Sequence, residues 1–168
     1  MSVYGRILLA GLGSLALMLG ALGFQYLGEL APCKLCIWQR WPHVAAIVLA
    51  VMAMTVAWPI RRPLALLGAL AMAVGAGIAI YHTGIEQKWW TGPSACTGAV
   101  PTGLSAKDLM AKIMSAPVER CDEIPWSLFG LSMAAWNALA SLGLALLWVF
   151  AALPRTPTRF IQPGSGAI

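Results

Sequence analysis

The segment PCKLCIWQR, residues 32–40, contains two cysteines three residues apart and an arginine four residues after the second. When oxidised, Cys33 and Cys36 close a small ring, and the apolar run that follows them predicts that they stand where a helix begins. The backbone N–H groups and the positive dipole end at a helix start favour a thiolate. Arg40 lies one helical turn beyond Cys36, where its charge can stabilise an anion. The spacing therefore predicts thiol–disulfide redox chemistry.

The whole chain has four cysteines, and the other two, Cys96 and Cys121, stand 25 residues apart. Two pairs are consistent with two structural disulfides as well as with a redox relay. Zinc is a weaker alternative, because only the first pair has the spacing of a zinc knuckle. Covalent haem attachment needs a histidine after the second cysteine, and Ile37 stands there. The cysteine count leaves structural disulfides open, the spacing of the first pair favours catalytic cysteines, and we predict no metal.

The composition of the chain is that of a membrane protein. Its 168 residues are 60% hydrophobic and 10% charged, with a mean hydropathy of +0.77. So few charges cannot cover a soluble domain, and four apolar runs approach the roughly 20 residues that a spanning helix needs. We predict an all-α membrane protein, a four-transmembrane-helix bundle in one domain over 1–154, with spans at about 7–28, 37–60, 63–85 and 126–153. Pro42, early in the second run, predicts a kink or a short break there.

The charges differ between the two ends of such a bundle. One end, formed by the N-terminus, the turn between the second and third spans and the tail 155–168, has only cations: Arg6, Arg61, Arg62, Arg155 and Arg159. The other end, loops 29–42 and 86–125, has as many acids as cations. Short arginine-rich segments stay in the cytoplasm. We therefore predict a bacterial inner-membrane protein with cytoplasmic termini and two periplasmic loops that hold all four cysteines, and its net charge of +5 reflects topology rather than nucleic-acid binding.

Three further features have predicted structural roles. The sequence LSAKDLMAKIM, in which Ser105 is the candidate cap, predicts a short interfacial helix that lies either on the bilayer surface or against the protein itself. Asn137, inside the last span, is predicted to hydrogen-bond between helices. The tail 155–168 contains little to bury and is predicted to be disordered.

Taken together, these motifs resemble the DsbB family of disulfide bond formation proteins. PCKLCIWQR is similar to the family's Cys-x-x-Cys-x-x-x-Arg segment, YHTGIEQKWWTGPSAC to the stretch after its third span, and CDEIPWSLFGLSMAAWN to the segment that leads into its fourth. The resemblance covers almost the whole chain. It implies a protein-thiol:quinone oxidoreductase that reoxidises a periplasmic thioredoxin-fold oxidase of the DsbA kind. The electrons would pass to the membrane quinone pool, either ubiquinone or menaquinone.

The resemblance also implies a role for each cysteine. Cys96 would be the sulfur that the partner's thiolate attacks, forming a mixed disulfide. Cys121 would be released as a thiol and would attack Cys33 in the first loop. Cys36 would then be freed as a thiolate and donate electrons to the quinone.

Two further site residues follow from the resemblance, and two alternative functions stay open. Arg40 would bind the quinone and stabilise its anionic form, and His82 would lie near the ring. One alternative is a non-enzymatic membrane scaffold with two structural disulfides. The other is a vitamin K epoxide reductase-like enzyme, although in those proteins the active Cys-x-x-Cys sits late in the chain, whereas here it follows the first span.

Overall fold

Four long helices make up most of the described chain, which comprises residues 1–93, 105, 107, 110 and 120–153 of the computed structural model. All four are long and apolar enough to cross a membrane, which confirms the predicted four-helix membrane protein. In chain order the elements are α1 (Val3–Tyr26), α2 (Lys34–Thr55), α3 (Trp58–Glu86), β1 (Ser127–Leu128), β2 (Leu131–Ser132) and α4 (Met133–Ala152). Most of the predicted interfacial helix and the whole tail 155–168 lie outside the described residues.

Local sequence signals set where the helices begin. Ser2 caps α1 by accepting a hydrogen bond from the Gly5 backbone N–H at 2.9 Å. Ser132 caps α4 in the same way, accepting from the Ala135 N–H at 3.1 Å. Both caps satisfy donors that have no partner within the helix. Only two residues connect α2 to α3, which has Pro59 in its first turn, and so short a connection makes these helices antiparallel neighbours.

Small residues allow the helices to approach closely, as expected for packing within a bilayer. Both α1 and α3 pack against α2 and α4, so the four helices surround one core. A Cβ atom on Gly68 of α3 would lie 2.5 Å from the indole of Trp148 on α4. Glycine is therefore required at this position for the fully buried Trp148 ring to lie against α3.

Pro42 lies inside α2, which continues without a break from Lys34 to Thr55. The short break that was one of the two predicted outcomes is therefore excluded. The proline packs against Gly75 of α3, where an added Cβ would lie 3.0 Å from the Pro42 Cβ, so the neighbouring helix supports the backbone at this point. As a result the cysteine motif and the membrane span belong to one helix.

The fourth helix begins at Met133, later than the predicted start of the span at 126. The preceding residues form a short antiparallel hairpin, β1–β2. Phe129 and Gly130 at its tip have φ angles of 51° and 78°, the left-handed pair that a two-residue hairpin turn requires. The residues of this hairpin are as apolar as those of a helix, so composition alone did not separate the two.

Candidate active site

The first cysteine pair stands at the start of α2, with the two sulfur atoms 2.8 Å apart. Cys33 is the N-cap residue: its backbone is extended, and its Sγ accepts a hydrogen bond from the Cys36 N–H at 3.2 Å. This cap conformation turns the Cys33 side chain back over the first helical turn. A disulfide bond is about 2.05 Å long, so a small side-chain movement closes the pair.

The surroundings of Cys33 favour its protonated form. Its hydrogen bond to Cys36, together with burial, raises the pKa of the Cys33 thiol to about 12, against an opposing effect of His82. A thiol with so high a pKa keeps its proton and donates it to the neighbouring sulfur. The negative charge of a reduced pair therefore resides on Cys36, at the N-terminus of the helix, where the dipole stabilises it.

A third sulfur lies beside this pair. Cys121 is fully buried and packs with Cys33, Leu35 and Ile85 in one cluster. The sulfur atoms of Cys33 and Cys121 and a ring nitrogen of His82 all lie within 4.8 Å of one another. The fold thus brings one cysteine of the second predicted pair to the Cys-x-x-Cys motif.

Ion pairs of the next residue hold Cys121 in this position. A carboxylate oxygen of Asp122 lies 2.7 Å from Lys88 Nζ and 2.8 Å from a guanidinium nitrogen of Arg120. Lys88 also donates to the Asp122 backbone carbonyl at 2.8 Å. Arg120, and then Lys88, keep the pKa of the Asp122 carboxyl well below its usual range. Because Lys88 follows closely after α3, these contacts tie the Cys121 segment to the end of that helix.

His82 and Glu86, one turn apart on α3, are buried next to the sulfurs. The Nε2 atom of His82 lies 3.6 Å from Cys33 Sγ and 3.8 Å from Glu86 Oε1. Glu86 also accepts a short hydrogen bond from the hydroxyl of Ser132, the residue that caps α4. An imidazole backed by a carboxylate provides a place for a proton directly beside the Cys33 thiol.

A chain of hydrogen bonds leads from His82 into the bundle. Gln39 Nε2 lies 2.8 Å from His82 Nδ1, and Asn137 Nδ2 donates to Gln39 Oε1 at 2.7 Å. His43 Nε2 in turn lies 2.9 Å from Asn137 Oδ1. The chain joins α3, α2 and α4, which confirms the interhelical role predicted for Asn137.

A cavity of about 560 Å³ lies between the helices next to the sulfurs. Apolar side chains of α1 and α4 form much of its wall, and its polar lining includes Cys36, Arg40, His43, His82 and Glu86. Arg40 donates from Nη1 to Gln25 on α1 at 2.6 Å. The buried Nε atom of Arg40 has no hydrogen-bond partner among the described residues. An apolar space with a few converging polar groups is typical of a small-molecule site.

The structure brings some of the predicted site residues into one cluster and leaves others apart from it or undescribed. Cys33, Cys36, Cys121 and His82 form one cluster. Arg40 lines the same cavity as Cys36, but within the described part of the chain its guanidinium donates to Gln25 rather than to a sulfur. Cys96 lies outside the described residues.

Three residues of this site were missing from the sequence-based prediction. Gln39 and His43 lie one turn apart on α2, and Glu86 lies one turn after His82 on α3. The spacing of four between polar residues on the face of a predicted span is a signal that could have revealed them. Glu86 was instead counted as a loop acid, because the third span was predicted to end one residue earlier.

The side chains at this end of the bundle suit two kinds of ligand. Two thiolates and an imidazole within 4.8 Å of one another match the ligands of a soft ion such as zinc, provided that both thiols are reduced. The cavity next to them suits a flat apolar ring with oxygen substituents, since Arg40 lines it and has a buried Nε with no hydrogen-bond partner in the part of the chain that the structure describes.

Comparison with known proteins finds relatives whose similarity extends over almost the whole chain. The family model described as disulfide bond formation protein DsbB matches residues 5–151. The disulfide bond formation protein B of Methylococcus capsulatus is 35% identical over 139 residues, 77% of this chain and 81% of its own. The protein of the same name from Shewanella frigidimarina is 32% identical over 155 residues, 90% of this chain and 89% of its own. No solved structure matches the chain.

Proposed function

The chain belongs to the DsbB family of disulfide bond formation proteins, and from this premise we propose that it oxidises a DsbA-like thioredoxin-fold partner and passes the electrons to a membrane quinone. Two partner thiols lose two electrons and two protons, and the quinone takes up both. The observation that carries the proposal is the contact of Cys121 with Cys33, whose sulfur lies 2.8 Å from that of Cys36. This contact supports a relay that links the two predicted cysteine pairs.

In the first step, the partner's thiolate attacks Cys96 of a Cys96–Cys121 disulfide. A bond between the partner and Cys96 forms, and the Cys121 sulfur leaves as a thiolate. Exchange requires in-line access to the attacked sulfur. The full burial of Cys121 therefore supports Cys96 as the sulfur that the partner attacks.

In the second step, Cys121 attacks Cys33 of a Cys33–Cys36 disulfide. A Cys33–Cys121 bond forms, and Cys36 leaves as a thiolate at the start of α2. The proximity of the Cys33 and Cys121 sulfurs supports this order. Cys36 is the better leaving group, because the helix N-terminus stabilises its thiolate whereas the pKa of Cys33 is raised to about 12.

The cycle closes when the partner's second thiol displaces Cys96 and Cys96 displaces Cys33 from Cys121. Cys33 and Cys36 then return to a disulfide and give up two electrons and two protons. A bound quinone supplies the acceptor for both. The Nε2–H of His82, 3.6 Å from Cys33 Sγ and 3.8 Å from Glu86, can donate to the Cys33 sulfur and stabilise it as the thiol gives up its proton.

The residues of the cavity fit a quinone. Its apolar walls accommodate the ring, and Cys36 and Arg40 line it together. The Nε of Arg40, which has no partner among residues 1–93 and 120–153, would donate to a carbonyl oxygen, and the fixed charge of the guanidinium would stabilise negative charge that develops there. His82, which lines the same cavity, would stand at the side nearer the sulfurs.

The proposal also assigns an orientation in a bacterial inner membrane, with the cysteines on the periplasmic side and both termini in the cytoplasm. The arginine-only charge of one end supports it. A membrane-impermeant thiol reagent applied to intact, reduced cells should label the chain. If labelling occurred only after membrane disruption, the orientation would be the opposite of the one proposed, and the roles assigned to the sulfurs would be unaffected.

The test of the function is oxidation of a reduced DsbA-like partner by the purified protein with and without quinone. We expect partner thiols to disappear beyond the protein's own two disulfide equivalents only with quinone, and Cys33→Ser and Cys36→Ser to stop this turnover. Thr55→Ala, at the far end of α2, is the matched control for insertion and folding. A structural scaffold predicts instead that both disulfides stay unchanged throughout.

A zinc site is the second candidate, favoured by the sulfur and nitrogen atoms that lie within 4.8 Å of one another. The two functions differ in the resting protein. A zinc site requires stoichiometric metal and reduced thiols, whereas the relay predicts disulfides and no bound metal. Metal analysis and thiol counting of the purified protein distinguish them.

A further inference from the structure

Three buried nitrogen atoms have no hydrogen-bond partner among the described residues, and two of the three belong to residues that line the cavity, whereas Trp148, which carries the third at Nε1, does not line it. The two at the cavity are Nε of Arg40 and Nδ1 of His43. Burying a polar atom without a partner is unfavourable, so such atoms at a cavity point to a ligand that pairs with them. Arg40 already has a role in the proposed function, whereas His43 has none.

His43 lies on the same face of α2 as the reactive sulfur. Cys36, Arg40 and His43 follow one another at spacings of four and three residues, and all three line the cavity. At about 1.5 Å per residue, this row extends about 10 Å along the helix. A ring that meets Cys36 and Arg40 at the outer end of the cavity therefore directs its opposite side towards His43.

The acceptors around His82 determine which atom donates and which accepts in each hydrogen bond of the chain that ends at His43. His82 Nε2 faces the Glu86 carboxylate at 3.8 Å, so Nε2 carries a proton. In the neutral ring Nδ1 is then an acceptor, and Gln39 donates its Nε2–H to it.

The same direction continues through the second half of the chain. Gln39 Oε1 accepts from Asn137 Nδ2, which leaves Asn137 Oδ1 to accept from His43 Nε2–H. The proton of the neutral His43 ring is thus on Nε2, and Nδ1, which no described residue contacts by a hydrogen bond, is an acceptor. A carbonyl oxygen of a ligand has no hydrogen to donate to this acceptor, whereas a hydroxyl of a ligand does.

We propose that His43 is a second binding residue of the cavity and that its Nδ1 accepts a hydrogen bond from a hydroxyl of the reduced, hydroquinone form of the ring. The inference rests on the proposed function, because it takes a quinone as the occupant. Arg40 and His43 then favour different redox forms of the ring. The cation of Arg40 favours a carbonyl or an anionic oxygen, and the imidazole of His43 favours the hydroxyl of the reduced form. A tenfold preference for the reduced ring raises its two-electron potential by about 30 mV, which favours electron flow from Cys36.

Two substitutions of His43 separate ligand binding from a structural role. The amide of glutamine reaches the position of Nε2, so His43→Gln keeps the contact with Asn137 and loses the acceptor at Nδ1. The shorter asparagine places its amide near Nδ1, so His43→Asn keeps a polar group for the ligand and loses the contact with Asn137. Both variants are made in a full-length Cys33→Ser/Cys36→Ser background, which prevents turnover during the measurement.

The experiment measures binding of ubiquinone-1 and of its hydroquinone to the detergent-solubilised proteins by anaerobic titration calorimetry. We expect His43→Gln to weaken hydroquinone binding about tenfold, the loss of one hydrogen bond, with the quinone much less affected. His43→Asn should bind hydroquinone nearly as tightly as the parent. Equal weakening in both variants would assign His43 to structure alone, and unchanged binding in His43→Gln would overturn the inference. Absence of binding of either ring to the parent would overturn both this inference and the proposed quinone function.

A spectroscopic readout is independent of affinity. The chain contains only two histidines, His43 and His82, so nitrogen-15 labelling of histidine gives two resolvable rings. We expect the free protein to have His43 protonated at Nε2, with the Nδ1 resonance shifting when hydroquinone binds. A His43 ring protonated at Nδ1 in the free protein would contradict the direction of the chain.

Discussion

Cys121 and Cys33 lie side by side, both buried, at one end of the helix bundle. Their sulfur atoms are within 4.8 Å of each other, although the whole of α2 and α3 separates the two residues along the chain. The relationship brings one cysteine of the second predicted pair to the first pair. It also makes the order of the sulfurs in the proposed relay testable.

We predict that Cys36→Ser accumulates a Cys33–Cys121 disulfide. Without Cys36, the Cys33 sulfur has lost its partner in the motif, and Cys121 is the next sulfur within reach. Peptide mapping by mass spectrometry under non-reducing conditions identifies the bond. The double variant Cys36→Ser/Cys121→Ser is the control and cannot form it. A Cys36→Ser protein that contains only a Cys96–Cys121 disulfide would show that the observed contact is not used for exchange.

The sulfur that meets the partner is predicted to be Cys96. Cys96→Ala should abolish the mixed disulfide with a DsbA-like partner. In Cys121→Ala the Cys96 thiol forms the mixed disulfide by attacking the disulfide of the oxidised partner, and the bond should persist because the loop lacks the second sulfur that would displace the partner. Non-reducing gel electrophoresis of the mixture measures both. If Cys96→Ala still formed the covalent complex, the sulfur that the partner attacks would be that of another cysteine.

Removing the cation of Arg40 should impair the use of quinone without affecting thiol exchange. Loss of one such donor at an oxyanion-type site costs about 2–4 kcal/mol, so Arg40→Ala should raise the apparent KM for quinone at least tenfold. Arg40→Lys keeps the charge but loses the planar fork and should be milder. The measurement is partner oxidation across quinone concentrations, beside a quinone-free mixed-disulfide assay.

A matched control addresses the structural role of the same side chain. Arg40 donates to Gln25 at 2.6 Å, and Gln25→Ala removes that contact while keeping the cation. If Gln25→Ala raises KM as much as Arg40→Ala does, the arginine acts by packing α1 against α2. An unchanged quinone response in Arg40→Ala would leave Arg40 without a chemical role.

The ion pairs of Asp122 should stabilise the protein at neutral pH and lose that effect only in strong acid. Because Arg120 and Lys88 lower the pKa of Asp122 in the folded protein, their contribution is complete above the ordinary aspartate pKa of about 3.9. It disappears as the pH falls through the lowered value. Both cations are largely exposed, so Asp122→Asn should cost only about 0.2–1 kcal/mol.

Thermal unfolding across pH checks this prediction. The difference in Tm between the parent and Asp122→Asn should be constant from pH 8 to pH 5 and should shrink below about pH 4. Glu123→Gln is the control, because Glu123 is exposed and its described ion pair is a 3.3 Å contact with Arg120. A difference that vanishes already between pH 7 and pH 5 would exclude Asp122 as its source.

The sequence by itself determined the four helices and the start of the reactive one. Runs of apolar residues and capping signals act within a few turns of chain, so their effect can be recognised without knowing what they pack against. The same locality explains why Cys33 and Cys36 were correctly placed at a helix start. The polar side chain of Asn137 inside an apolar run was also sufficient to predict an interhelical bond.

The tertiary structure decided which distant residues meet, because contacts between helices depend on how their faces turn towards each other. Only the packed bundle places Cys121 against Cys33, and only the packed bundle connects His82 through Gln39 and Asn137 to His43. The hairpin before α4 was missed for a related reason: its turn depends on the left-handed backbone of Phe129 and Gly130, which an apolar composition does not reveal. Hydropathy and spacing report what one segment does alone, whereas a relay requires sulfurs from two segments that the fold alone brings within reach.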